Sequence, residues 1–179
     1  MKQFFNRYGL LLGITSIILF IDQVSKAVVR ERIPFGDSWM PLTWLAPYFR
    51  FVHWENTGAA FGMFQNGGAI FGILAVIVSA LLVVYYAQIP KEETLMRIAM
   101  SMQVAGAVGN LIDRITFGPV TDFISVGTFP VFNIADSSIT IGTGLLILGL
   151  LQHEQKLKRG NGKIEETISE SPNPVDDQA

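Results

Sequence analysis

The 179-residue chain has no cysteine and only two histidines. Without thiols there can be no disulfide, no thiolate metal site and no cysteine nucleophile. His53 and His153 lie outside the long apolar runs, and no His-Glu-x-x-His pattern occurs, which removes the helical zinc-peptidase arrangement. Charge is also scarce: Asp, Glu, Lys and Arg make up 16% of the chain, against about 25% in an ordinary soluble domain. No basic stripe exists that would suit nucleic acid. The net charge of -2 carries little information, because acidic residues of the tail offset basic ones elsewhere.

What charge there is clusters into short zones separated by neutral runs, the pattern of a chain that spans a bilayer. The first apolar run begins after Arg7, extends from Tyr8 to Ile21, and continues through Asp22, Gln23, Val24, Ser25 and Lys26 into Ala27, Val28 and Val29. Its basic start is like that of a signal peptide, but no small-x-small cleavage site follows and further spans do, so it reads as an uncleaved helix. The second run, Gly67 to Tyr86, has 20 residues and no charge, enough for about 30 Å at 1.5 Å per residue. A third extends from Ile98 to Ile115, and a fourth from Asn133 to Leu151. The expected fold is an all-α membrane protein of four transmembrane helices over residues 1–151, followed by a polar, disordered cytoplasmic tail over 152–179.

Lys2, Arg7, Lys91, Arg97, Lys156, Lys158, Arg159 and Lys163 fall on one side of this layout, and Lys26, Arg30, Arg32, Arg50 and Arg114 on the other. The positive-inside rule therefore predicts both termini in the cytoplasm. The long outer connection, residues 27–66, contains Pro34, Pro41 and Pro47 with Trp39, Trp44 and Trp54. A structureless loop of this length is uncommon; Tyr48 to Trp54, rich in aromatic and β-branched residues, is expected to form a short strand. Ala105, Gly106, Gly109, Gly142 and Gly144 allow close helix approach, and packing alone accounts for most of them.

An ionisable side chain at membrane depth costs a few kcal/mol or more and needs a reason. Asp22, Lys26, Asp113, Arg114 and Asp136 lie in or at the ends of the spans, and Asp122 just beyond the third; topology brings all of them towards the outer side. Each has a purely structural explanation. Asp22 and Lys26 share a helix face and can neutralise one another. Asp113 and Arg114 could be interfacial charges, and Asp136 suits a helix first turn capped by Asn133. Their convergence at one level is what these explanations leave unaccounted for. Hydrolysis there would have to use carboxylates, two of which share one proton near neutrality. Spacing does not decide which two of Asp113, Asp122 and Asp136 would pair; the repeated Asn-x-x-Asp pattern, Asn110 with Asp113 and Asn133 with Asp136, suggests 113 and 136. A small transporter or proton-conducting subunit would use the same outer aspartates for ions, and a non-catalytic assembly factor would need no pair at all.

Five segments carry a resemblance. Asp22-Gln23-Val24-Ser25-Lys26, Asn56-Thr57-Gly58-Ala59-Ala60-Phe61, Gly106 to Arg114 (GAVGNLIDR), Gly118-Pro119-Val120-Thr121-Asp122-Phe123 and Phe132-Asn133-Ile134-Ala135-Asp136 resemble, in order, the motifs of bacterial lipoprotein signal peptidases (signal peptidase II). The motifs extend over residues 22–136. Ala105, where a second glycine is usual, and Thr121, where valine is common, depart from the pattern, and the interval from Asp122 to Asp136 is shorter than in some relatives.

The resemblance implies an intramembrane aspartic endopeptidase of the bacterial inner membrane. Its substrates would be diacylglyceryl-modified prolipoproteins, cut just before the lipidated cysteine. Asp122 and Asp136 match the family's catalytic aspartates. Asn56, Gly58, Asn110, Asp113, Arg114, Asn133 and Ala135 would bind substrate or support the pair, and Asp22 and Lys26 would be structural or rim residues. Arg114 beside Asp113 would fix a carboxylate charge there. No metal or organic cofactor is implied, and the partners are prolipoprotein substrates and membrane lipids, with a monomer expected. A small β-sheet and a short surface helix are expected within residues 27–66, a loop that would close over the substrate.

Overall fold

The computed structural model describes residues 2–58 and 68–170, with side chains over 3–58 and 68–158. Its helices are α1 (Lys2–Arg32), α2 (Gly68–Tyr86), α3 (Thr94–Thr116) and α4 (Ile134–Glu170), and its strands β1 (Ser38–Trp39), β2 (Phe49–Asn56) and β3 (Val120–Val126). Each helix contains a segment long and apolar enough to cross a membrane. Phe20, Ile73 and Ile147 are 70%, 62% and 55% exposed on their outer faces. Apolar faces of this extent suit lipid, not water, so the four predicted spans are found and the chain is a multi-pass membrane protein.

Helix α3 is the hub, with α1, α2 and α4 packed around it. Small residues permit the tightest approach, that of α3 to α4. A Cβ at Gly106 would collide with the Ala135 carbonyl oxygen and stand 2.6 Å from Ile139 Cγ1 and 2.7 Å from Ser138 Oγ. At Gly142 it would meet the Ala99 carbonyl at 2.8 Å. Gly144, in contrast, has nothing within 4 Å, so close approach does not explain it.

The bundle end away from the sheet is held by Arg97. Its guanidinium donates to Tyr86 Oη at 3.2 and 3.0 Å and to the Arg7 carbonyl at 2.6 Å, while Tyr8 stacks on Tyr86 at 6.1 Å. Nearby Glu93 accepts from Lys156 Nζ at 2.9 Å and pairs with His153 Nδ1 at 3.2 Å. The hydrogen bonds from Lys156, then His153, hold its carboxyl below the usual glutamate range. These contacts fasten the start of the polar tail. Where the sequence predicts disorder from residue 152, α4 continues as helix to Glu170. The segment is rich in helix formers, with a Glu154–Lys158 pair at i, i+4 (2.7 Å); residues 171–179 lie outside the described residues. Deleting residues 159–179 is expected to leave the thermal unfolding midpoint in detergent within about 2 °C of the full chain, since the Glu93 contacts stay in place. A larger drop would mean that the tail carries stability of its own.

The three strands form one antiparallel sheet in the order β1-β2-β3. The strand predicted over Tyr48 to Trp54 is β2. Its partner β3 comes from outside the 27–66 loop, so the sheet is not confined to that loop as expected. No helix forms in the described part of the loop after Arg32, where residues 43–48 make successive turns; residues 59–66, the rest of the segment expected to close over substrate, lie outside the described residues. Register runs from Phe49 opposite Val126 to Asn56 opposite Val120, with one extra β2 residue between Phe51 and Trp54. This bulge sets Trp54 opposite Asp122 and puts Asn56 diagonally across from it. Alternation then divides β3: Phe123 packs with Val29 of α1 and with Ile33 just beyond its end, while Asp122 faces the other way. Gly118, at φ +92° just after the α3 C-cap, makes the turn from helix to strand. A bridge between Ile124 and Phe132 returns the chain to the start of α4.

Candidate active site

The first turn of α4 organises the site. Asn133 precedes the helix and accepts the Asp136 backbone N–H on Oδ1 at 2.9 Å, while Asp136 Oδ2 accepts the Asn133 N–H at 3.2 Å. This reciprocal cap, expected in part from sequence, satisfies two N–H groups that the helix cannot. It leaves the Asn133 amide nitrogen free to reach Asp122 Oδ1 at 2.7 Å. One residue therefore bridges Asp122 and Asp136. Asp122 Oδ2 accepts from Asn56 Nδ2 at 3.0 Å, and Asn56 Oδ1 is in turn held by the Gly58 N–H at 3.0 Å. Asp136 Oδ1 accepts from Asn110 Nδ2 at 2.7 Å. Every oxygen of both carboxyls thus faces an N–H donor. Asp122 is 1% exposed; burial, and then the charge of Asp136, push its carboxyl up to about 7.

Beneath this pair lies a second ionic group. Asp22, Lys26 and Asp113 are each 0% exposed. Lys26 Nζ stands 2.9 Å from Asp22 Oδ2 and 3.1 Å from Asp113 Oδ2. These two α1 residues are therefore buried between helices and not at a rim. Asp22 Oδ1 also accepts the N–H of Ala135 at 2.9 Å, capping α4 from another helix. Asp113 takes the Thr121 N–H at 3.0 Å and has Arg30 at 3.7 Å. The ion-pair partners of Asp113 are Lys26 and Arg30 and not its neighbour Arg114, because successive helix positions point about 100° apart. Arg114 turns away, reaching the carbonyls of Asn110 and Gly58 at 3.4 and 3.5 Å and lying 5.8 Å over the Phe71 ring. The matching Asn-x-x-Asp spacings are likewise used differently, since Asn110 serves Asp136 while Asp113 serves the buried lysine.

Arg30, Gln23 and Thr121 belong to this network and were given no site role from sequence. Arg30 Nη1 donates to Thr121 Oγ1 at 2.9 Å and stacks over Phe117 at 4.1 Å. Gln23 Nε2 donates to the Gly109 carbonyl and Asp22 Oδ2, both at 3.1 Å. Residues 22, 26 and 30 form an i, i+4, i+8 row on α1, a signal that could have revealed Arg30. Thr121, the departure from the commoner valine, has a use here as the acceptor for that arginine. Among the described residues no group of three His, Asp or Glu side chains is placed to hold a metal ion.

The signal peptidase (SPase) II family profile matches residues 14–152. The chain belongs to the signal peptidase II family. A lipoprotein signal peptidase of Staphylococcus carnosus is 40% identical over 82% of this chain and 93% of its own length. One from Pseudomonas fluorescens is 38% identical over 84% and 92%. Two solved structures described as bacterial membrane enzymes superpose with TM-scores of 0.74 and 0.72, at 31% and 35% identity. They cover 94% and 80% of this chain and 95% and 93% of their own. As a signal peptidase II family member the chain is a multi-pass peptidase, and it shares its fold with these two bacterial membrane enzymes.

Proposed function

We propose that this chain is an intramembrane aspartic endopeptidase that removes signal peptides from diacylglyceryl-modified prolipoproteins, cutting just before the lipidated cysteine. The observation that carries this reading is the Asn133 bridge between Asp122 and Asp136, which holds two carboxyls side by side with donors on every oxygen. Asp122 and Asp136 are the catalytic pair. They share one proton near neutrality because two adjacent charges are costly in a buried site. Asp136 lies in the first turn of α4, at the positive end of the helix dipole, and acts as the base. Asp122 holds the proton.

In this mechanism Asp136 takes a proton from water as the oxygen bonds to the scissile carbonyl carbon, and Asp122 donates its proton to the carbonyl oxygen. Collapse of the tetrahedral adduct breaks the C–N bond. The amine of the cysteine leaves with the proton from Asp136, while a hydroxyl of the adduct returns its proton to Asp122 as the new carbonyl forms, so the pair again holds one proton. Asn56, Gly58 and Arg114 line the approach from the sheet and α2 and orient the substrate; Asn110, Asn133 and Ala135 hold the pair. Both termini lie in the cytoplasm, the pair opens towards the outer face of the membrane, and the enzyme works as a monomer. The transporter reading finds less support. No Asp, Glu, Lys, Arg or His lies on α3 between Arg97 and Asp113 or on α4 between Asp136 and His153, which leaves no relay across the bilayer.

The test is incubation of purified protein in detergent with a prolipoprotein carrying diacylglyceryl on its cysteine, beside the unmodified precursor. Only the modified form is expected to lose its signal peptide. An intact modified substrate would sink the reading. The pH dependence has a fixed sign. Catalysis needs the proton on Asp122, which is present below about 7 and lost above it, so kcat/KM should fall as pH rises from 7 to 9. A rate that climbs across that interval would exclude Asp122 as the acid.

A further inference from the structure

The Asp22, Lys26 and Asp113 cluster plays no part in the steps above, yet Asn110 links it to the pair. Each Lys26 proton has one acceptor: Asp22 Oδ2 at 2.9 Å, Asp113 Oδ2 at 3.1 Å and Asn110 Oδ1 at 3.0 Å. The first two neutralise the buried ammonium, as burial of a charge requires. The third leads out of the cluster. Asn110 Oδ1 also accepts from Asn133 Nδ2 at 3.1 Å, and Asn110 Nδ2 donates to Asp136 at 2.7 Å. The same Asn133 nitrogen donates to Asp122 at 2.7 Å. A carboxamide can be turned either way, and an Asn110 turned over would set its NH2 against the Lys26 ammonium and offer its oxygen to the Asp136 carboxylate. Two repulsive contacts would replace two attractive ones. The cation therefore selects one orientation, and that orientation aligns a donor on each aspartate.

We propose that Lys26 is a positioning residue for the aspartate pair: its ammonium locks the Asn110 carboxamide so that Asn110 donates to Asp136 and Asn133 to Asp122. The proposal rests on the reading of Asp122 and Asp136 as the catalytic pair. Lys26 touches neither aspartate and acts through Asn110. Asp22 serves the same end by a separate route, since its Oδ1 holds the Ala135 N–H one residue before Asp136.

Lys26→Met alone would leave buried Asp22 without its cation and Asp113 with only Arg30 at 3.7 Å, and loss of folding would say nothing about positioning. The informative variant is the neutral triple Asp22→Asn/Lys26→Met/Asp113→Asn, which removes the charges together and keeps side-chain volumes. It is to be compared with wild type for thermal unfolding in detergent and for kcat and KM on a diacylglyceryl-modified prolipoprotein. The expected result is a folded protein whose kcat falls at least tenfold while KM stays within about twofold. A folded triple variant with wild-type kcat would overturn the proposal, because a purely structural ion cluster predicts that outcome. Should the triple variant not fold, the double variant Asp22→Asn/Lys26→Met decides: Asp113 keeps Arg30 at 3.7 Å and Asn110 itself is untouched, so a tenfold lower kcat at unchanged KM is expected and a wild-type kcat overturns the proposal. Asp122→Asn is run alongside. If it is active, the reading of the pair itself fails; if it is inactive while the triple variant is fully active, only the role of Lys26 fails.

Discussion

Asp136→Asn is expected to fold normally and to lose at least 1000-fold in single-turnover cleavage, with substrate affinity unchanged. General acid–base groups contribute about 100- to 10,000-fold, and 1000-fold corresponds to about 4 kcal/mol of barrier. An amide cannot take the proton from water at neutral pH, so the whole contribution of the base is lost. The fold survives because the α4 cap needs only part of the side chain. The Asp136 backbone N–H still reaches Asn133 Oδ1, and the new amide oxygen can accept from either Asn110 or the Asn133 N–H. One hydrogen bond is lost, about 1 kcal/mol, and removal of one of two adjacent carboxylates offsets it. Combining Asp122→Asn with Asp136→Asn should slow cleavage no more than a few-fold beyond the single variant, because members of one catalytic unit are not additive. A double variant slower by the product of the two single effects would show the aspartates working independently.

Gly106→Val should be the most damaging single change in the helix packing. The added Cβ meets the Ala135 backbone carbonyl as well as Ile139 Cγ1 at 2.6 Å and Ser138 Oγ at 2.7 Å. A side chain could rotate away; the backbone oxygen cannot, so α4 must move off α3. Overpacking costs about 1–3 kcal/mol and occasionally more, and a clash with backbone puts this one at the upper end. Asp136 is next to Ala135, and a displacement of about 1 Å at a reacting group can cost 100-fold in rate. Lower unfolding temperature and lower activity are therefore expected together. Gly144→Ala, at a position with no heavy atom within 4 Å, provides the control and should change stability by less than about 0.5 kcal/mol. Equal behaviour of the two variants would mean that the α3–α4 approach is looser than described.

The four spans were legible because a bilayer imposes length and apolarity on each segment separately, and α2 in particular needed only an unbroken neutral run. Boundaries were harder where polar residues find partners in the fold. Helix α1 carries Asp22 and Lys26 through to Arg32 because their charges are matched by Asp113 of another helix. Helix α4 outruns Leu151 because Glu93, from the α2–α3 connection, receives His153 and Lys156. At the site, Asn133 and Asp136 were readable as a local cap, whereas the Asn56 contact to Asp122 depends on β2–β3 register and on a bulge that no spacing announces. For the same reason spacing alone could not separate Asp113 from Asp122. The two differ in what lies opposite them: a buried lysine for Asp113, and a pair of asparagine amides for Asp122.

That difference is also where the account is most exposed. The decisive measurement is a cleavage assay on a diacylglyceryl-modified prolipoprotein that compares Asp122→Asn with Asp113→Asn, each at a temperature where its unfolding curve shows it folded. Asp122→Asn is expected to be folded and inactive. Asp113→Asn is expected to unfold at lower temperature, having lost a partner of Lys26, yet still to release the signal peptide. An active Asp122→Asn beside a folded, inactive Asp113→Asn would contradict the assignment of the pair.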